Sequence, residues 1–100
     1  MNTPIENLLE SKANRKGRLC IVGTGTTVHR VAVWYKTGWS AEEISRRYAH
    51  LPIAGVYAAL AYYHANQAAI EAEIAADQAE ESRLESVWLE MRREREEIAA

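Results

Sequence analysis

Ile21–Val28 reads IVGTGTTV, an apolar pair running into two glycines one residue apart. Such a stretch suits either of two architectures. A strand closed by a glycine loop can open a nucleotide-binding unit whose backbone cradles a phosphate, or the glycines can simply turn the chain into a helix. The dinucleotide fingerprint GxGxxG needs a third glycine at position 28, which is Val28, and the P-loop needs a lysine at 29, which is His29. A complete dinucleotide fold is also larger than a chain of 100 residues. The stretch is therefore read as a strand, Leu19–Val22, followed by a turn at Gly23 and Gly25.

Composition agrees with one small helical domain. Hydrophobic residues make up 48%, charged residues 26%, and there are only two prolines, which excludes a disordered chain. No apolar run approaches the ~20 residues that cross a bilayer, so no membrane partner is expected. The first 18 residues lack an apolar signal core, and a single cysteine makes no internal disulfide, so a cytoplasmic protein is expected. Cys20 reads as a small buried hydrophobe. Through Asn66 the chain carries eight Lys/Arg against four Asp/Glu; from Gln67 on it carries four against ten. A basic front suits an anion such as nucleic acid, and an acidic, arginine-dotted tail suits a protein surface.

The punctuation divides the front into a basic arm, 1–18, and a three-helix domain, 19–66. A single short strand has open edges, so it must pair with a second segment of the chain or with a second subunit as a homodimer. The first helix begins near Thr27, turns Val28, Val31 and Tyr35 inward, and ends where Gly38 supplies a left-handed cap. Ser40 and Glu43 form the pattern of a capping box for a second helix from Ala41, with Ile44 and Tyr48 inward. A third starts around Pro52 and buries Val56, Ala59, Leu60 and Tyr63. These lengths are those of a helix-turn-helix with a core of Val31, Ile44, Val56 and Leu60.

The extension 67–100 contains no proline or glycine and reads as helix throughout. Ile70 and Ile74 lie one turn apart and can dock on the domain. Asp77 and Glu81 then interrupt that stripe, and a new one opens at Leu84, Val87, Trp88 and Met91, with Leu89 alongside and Ile98 later. A monomer of this size has little left to cover it. Either a second copy does so as a coiled coil, or a partner groove receives it.

The runs GRLCIVGTGTTV (17–28), GWSAEEISRRYAHL (38–51) and VYAALAYY (56–63) resemble the VapB-like family of small prokaryotic antitoxins, whose pattern is GKPCIRGTRIPV, a helix, G-x-S-x-EEI and a VxAAL-Y helix. The register holds from Gly17 to Tyr63, and WLEMRRERE (88–96) is similar to the ends of some members. The resemblance implies a homeodomain-like helix-turn-helix, a PIN-type ribonuclease toxin as partner, and autorepression by binding operator DNA. It also implies that Cys20, Ile21, Gly23 and Thr24 form a strand and turn, with no cofactor. In place of the family's two arginines stand Val22 and Gly25, and the outward candidates of the third helix, Ala54, Gly55, Ala58 and Ala61, carry nothing that reads a base edge.

The fold expected is therefore mainly α: a three-helix helix-turn-helix domain, one short N-terminal strand and a long C-terminal helical extension. Candidate DNA contacts are Lys12, Arg15, Lys16 and Arg18 in the arm and Arg30, Arg46 and Arg47 on the first two helices. Candidate toxin contacts are Leu84, Val87, Trp88 and Met91, with Arg92, Arg93 and Arg95 available to the carboxylates that PIN-type ribonucleases gather around magnesium. The ordinary use of those arginines is i, i+4 pairing of Arg92 with Glu96 and Arg93 with Glu97. His29, His50 and His64 sit on separate elements without metal spacing, and the glutamates of the tail are solvated, so neither a metal, a cofactor nor catalysis is expected. The alternative reading is a dimeric interaction module whose degenerate helix-turn-helix binds no DNA.

Overall fold

The structure, a computed structural model, describes residues 4–99, with side chains through Glu97. Two short 3-10 turns, Ile5–Asn7 and Ala13–Arg15, alternate with strands β1 (Leu9–Ser11) and β2 (Leu19–Ile21). Four helices follow: α1 (Val28–Lys36), α2 (Ala41–Arg47), α3 (Ile53–Ala65) and α4 (Gln67–Ala99). The chain forms two compact units that divide between Ile70 and Glu71.

In the first unit β2 is not alone. β1 pairs with it antiparallel, Leu9 opposite Ile21, Glu10 opposite Cys20 and Ser11 opposite Leu19. The edge that a single strand would expose is thus covered from within the chain, and the basic segment expected as a free arm is part of the fold. Three residues, LES, are too few to show a strand's alternation in sequence. Lys16 (φ 59°) and Gly17 (φ 73°) reverse the chain between the strands, and the Ser11 hydroxyl donates to Gly17 O at 2.6 Å.

After β2, Gly23 takes φ 80°, a left-handed conformation that glycine adopts at little cost. The Thr24 amide and hydroxyl both donate to Ile21 O, at 3.0 and 2.9 Å. Thr24 Oγ1 in turn accepts from Thr26 N at 3.1 Å. The turn delivers Thr27 as the N-cap of α1, its Oγ1 accepting from Arg30 N at 3.1 Å.

α1 ends in a Schellman motif: Gly38 N donates to Tyr35 O (3.0 Å) and Trp39 N to Trp34 O (3.3 Å). Trp39 and Trp34, the residues that flank such a cap, stack at 6.2 Å. Ser40 caps α2 by accepting from Glu43 N at 3.1 Å. The Glu43 carboxylate does not complete the box; it turns forward, accepting from Arg47 Nε at 2.9 Å and from Arg46. Pro52 precedes α3 with no side-chain cap.

The core is Cys20, Ile21, Val28, Val31, Ala32, Ile44, Leu51, Val56 and Ala59, with Leu60 and Tyr63. Tyr35 is 40% exposed, so Ala32 rather than Tyr35 continues the inward face of α1. Tyr48 is half-buried. Gly55 and Ala58, expected to point outward, are buried. The reason at Gly55 is a close approach: a Cβ there would lie 2.5 Å from Ile21 Cγ2, so the glycine lets α3 close on β2. The outward residues of α3 are Ile53, Ala54, Tyr57, Ala61, Tyr62, His64 and Ala65. His29, in the first turn of α1, is buried.

α4 is a continuous 33-residue helix. Ile70 and Ile74 are buried. From Leu84 onward the described side chains are exposed, Leu84, Val87, Trp88, Leu89 and Met91 among them. Ile98 lies outside the residues whose side chains are described. Among the described residues no helix is long and apolar enough to cross a membrane.

Candidate functional site

Two surfaces carry unsatisfied chemistry, one in each unit. The first is a cleft of about 450 Å³ beside the glycine turn. Gly25, Thr26, Thr27 and Arg15 form one wall, Arg30 comes from the first turn of α1, and Trp34, Tyr48 and His50 form the other wall. Among the described residues no carboxylate lines it. The Arg15 guanidinium lies against Gly25, its Nε donating to Gly25 O at 2.9 Å, and a Cβ on Gly25 would sit 2.9 Å from Arg15 Nη2. Gly25 does not have positive φ, so its lack of a side chain serves the arginine and not the backbone. A position where the resembling family carries arginine is thus covered here by a guanidinium that arrives from ten residues upstream. The opposite wall is aromatic: Trp34 and Tyr48 stack at 4.4 Å with planes 13° apart, and His50 meets Tyr48 edge-on at 6.4 Å.

Of the seven cations expected to meet DNA, Arg15 and Arg30 come together at this cleft and the others do not. Lys12 faces Glu10 at 3.9 Å. Lys16 occupies the left-handed turn between the strands, and Arg18 lies just before β2. Arg46 and Arg47 both pair with Glu43, and the Arg47 guanidinium lies 4.3 Å from the centre of the Trp39 ring. The Arg47 and Arg46 charges hold the Glu43 carboxyl below its usual range. The Tyr57 hydroxyl, donated to Glu42, does the same for Glu42 and is itself held above the usual phenol range. Tyr57 is thus bonded to its own domain. Ahead of His64 in its last turn, the exposed face of α3 presents alanine, isoleucine and tyrosine, which lack the bidentate donors and acceptors that read base edges.

Sequence reasoning missed Trp34, Tyr48 and His50 as lining residues. Tyr48 reads as core, His50 only as a histidine without metal spacing, and Trp34 belongs to no motif; nothing in their spacing brings the α2–α3 turn beside the glycine turn.

The second surface lies on α4. Leu84, Val87, Trp88 and Met91 follow one another at helical spacing and stay exposed, Trp88 at 60%. Trp88, Met91, Arg92 and Arg95 border a shallow hollow. Arg92 reaches Glu96 at 3.5 Å, the ordinary i, i+4 pairing, and its guanidinium also lies 5.6 Å from the Trp88 ring centre. Arg93 is exposed beside them.

Burial pushes the Cys20 thiol above its usual range, against the smaller opposing pull of Lys12 and Arg15. A nucleophile needs the reverse. Among the described residues no group of three His, Cys, Asp or Glu side chains is placed to hold a metal ion.

No curated protein and no solved structure matches the chain. One family model does, over residues 11–63, which take in the last residue of β1, all of β2, α1 and α2, and α3 as far as Tyr63. The chain belongs to that family, described as protein of unknown function, DUF433.

Proposed function

We propose that the protein is the antitoxin of a type II toxin-antitoxin pair, which neutralises a PIN-type ribonuclease by laying its C-terminal helix into a groove on the enzyme. The observation that carries this reading is the exposed stripe Leu84, Val87, Trp88, Met91. Four large apolar side chains on one helical face gain nothing from solvent, and an amphipathic helix laid in a groove buries them. Trp88 is the anchor, since aromatic residues at the centre of an interface carry most of its energy.

The occupant is chosen by charge. Arg92, Arg93 and Arg95 follow the stripe directly and suit a surface with clustered carboxylates, such as the magnesium site of a ribonuclease. A second copy of the same acidic helix would set ten carboxylates against ten. The resemblance of residues 17–63 to VapB-like antitoxins supports the same partner. In this reading α1–α3 are a homeodomain-like helix-turn-helix, the protein works as a homodimer in the cytoplasm, and any hold on operator DNA comes from Arg15 and Arg30 rather than from α3.

Co-expression with the adjoining reading frame tests the proposal. Full-length protein should carry the ribonuclease through size exclusion with light scattering, and a truncation ending at Glu81 should lose it. If neither form binds and both run as dimers, the protein is instead an interaction module. The uncharged, base-blind face of α3 is the observation that favours that second reading.

A further inference from the structure

We propose that the cleft between Gly25 and His50 binds a nucleotide unit, with its phosphate on Arg15 and Arg30 and its base against the aromatic wall of Trp34 and Tyr48. The ligand is a phosphorylated heterocycle, supplied either as a free nucleotide or as one unit of a single strand. The inference uses the same Arg15 and Arg30 that the antitoxin reading gives to operator DNA, but neither the tail nor a toxin enters it.

Size, charge and shape agree. A volume of about 450 Å³ falls within the ~300–1,000 Å³ of small-ligand pockets. Two guanidiniums with no carboxylate among the lining residues make the cleft anionophilic. Arg15 is positioned in advance: its bond to Gly25 O holds the guanidinium at the turn, so less freedom is lost when an anion arrives. At the start of α1 Thr27 already takes the Arg30 amide, and the full positive charges at the cleft are those of the two guanidiniums. The cations do what a glycine-rich phosphate loop does elsewhere, which explains how a turn lacking both nucleotide fingerprints can still face a phosphate.

The aromatic wall selects among anions. An inorganic anion or a carboxylate gains nothing from the Trp34–Tyr48 stack, and an uncharged apolar ligand gains nothing from the arginines. A base joined to a phosphate uses both, because stacking on aromatic side chains is how proteins hold unpaired bases without reading their edges.

Calorimetry on the full-length protein at low salt tests the site with three probes: inorganic phosphate, AMP and a 5′-phosphorylated hexathymidylate. AMP or the oligonucleotide should bind about tenfold more tightly than phosphate. The Arg15→Gln/Arg30→Gln variant, altered only at exposed side chains, should keep its melting temperature and lose about tenfold in that affinity. Binding of AMP as tight as that of the oligonucleotide assigns a free nucleotide, and binding of the oligonucleotide alone assigns a strand; both uphold the site. Phosphate binding as tightly as either nucleotide, affinity unchanged in the double variant, or no binding by any probe would overturn it.

Discussion

The Arg15 guanidinium occupies the space that a side chain on Gly25 would need, with Nε bonded to Gly25 O at 2.9 Å. Two residues ten apart in sequence thus build one wall of the cleft, a cation fixed by the absence of a Cβ.

Gly25→Ala separates this role from stability. The backbone at 25 has no positive φ to punish alanine, and the crowded atom is the far end of a flexible side chain. Stability should move by no more than about 0.5 kcal/mol. Arg15 should be displaced, and nucleotide affinity should fall while the melting temperature holds.

Gly55→Ala should behave in the opposite way. Alanine favours a helix interior by roughly 1 kcal/mol over glycine, but its Cβ would lie 2.5 Å from Ile21 Cγ2. Ile21 is fully buried on β2 and has no room to retreat. Overpacking of this kind costs about 1–3 kcal/mol, so the clash wins, and thermal denaturation should report a lower midpoint.

Cys20 is buried and its thiol is pushed above the usual range by desolvation. Native protein should therefore resist iodoacetamide near neutral pH and react fully once denaturant is added. Because the folded-state value is raised, the unfolded thiol ionises first as the pH rises, and stability should decline above the ordinary thiol value of 9.0. A Cys20→Ala variant should lack that alkaline decline.

Glu42 and Glu43 are held below the ordinary carboxylate value of 4.5, Glu42 chiefly by the Tyr57 hydroxyl and Glu43 chiefly by Arg47. A lowered folded-state value means that the unfolded chain takes up protons first. The stabilisation is complete above 4.5 and is lost as the pH falls below it. The Glu42→Gln/Glu43→Gln variant should show a flatter acid limb in a melting-temperature profile, more so at low salt.

Local chemistry made the helices legible. Thr27, Gly38, Ser40 and Pro52 bound α1, α2 and the start of α3 within a residue or two, because each acts on its own turn of backbone. The long C-terminal helix followed from its composition. What the sequence hid is non-local. β1 is visible only beside β2, and Gly55 reads as a weak helix start until Ile21, 34 residues earlier in the chain, is seen against it. Arg15 and Arg30 read as two of seven candidate DNA contacts, and their meeting at one cleft shows only once the turn and His50 are seen beside them. The stripe at Leu84–Met91 could be read directly, since exposure on a single long helix depends on little but spacing.

The arginines after Trp88 should matter only in the complex. Arg92→Ala/Arg93→Ala/Arg95→Ala should leave the stability of the free protein within about 0.5 kcal/mol of its starting value, because all three are exposed. It should weaken inhibition of the ribonuclease more than Glu96→Ala/Glu97→Ala does. Equal, negligible effects of both variants would assign the arginines to helix pairing alone.

The most direct measurement titrates the RNA-cleaving activity of the adjoining reading frame's product with full-length protein and with Trp88→Ala/Met91→Ala. Both forms should melt alike, since Trp88 and Met91 are exposed. The unaltered protein should abolish cleavage at a stoichiometric ratio, and the variant should need about tenfold more or fail. Equal inhibition by the two forms, or none by the unaltered protein, would contradict the tail as the toxin-binding element.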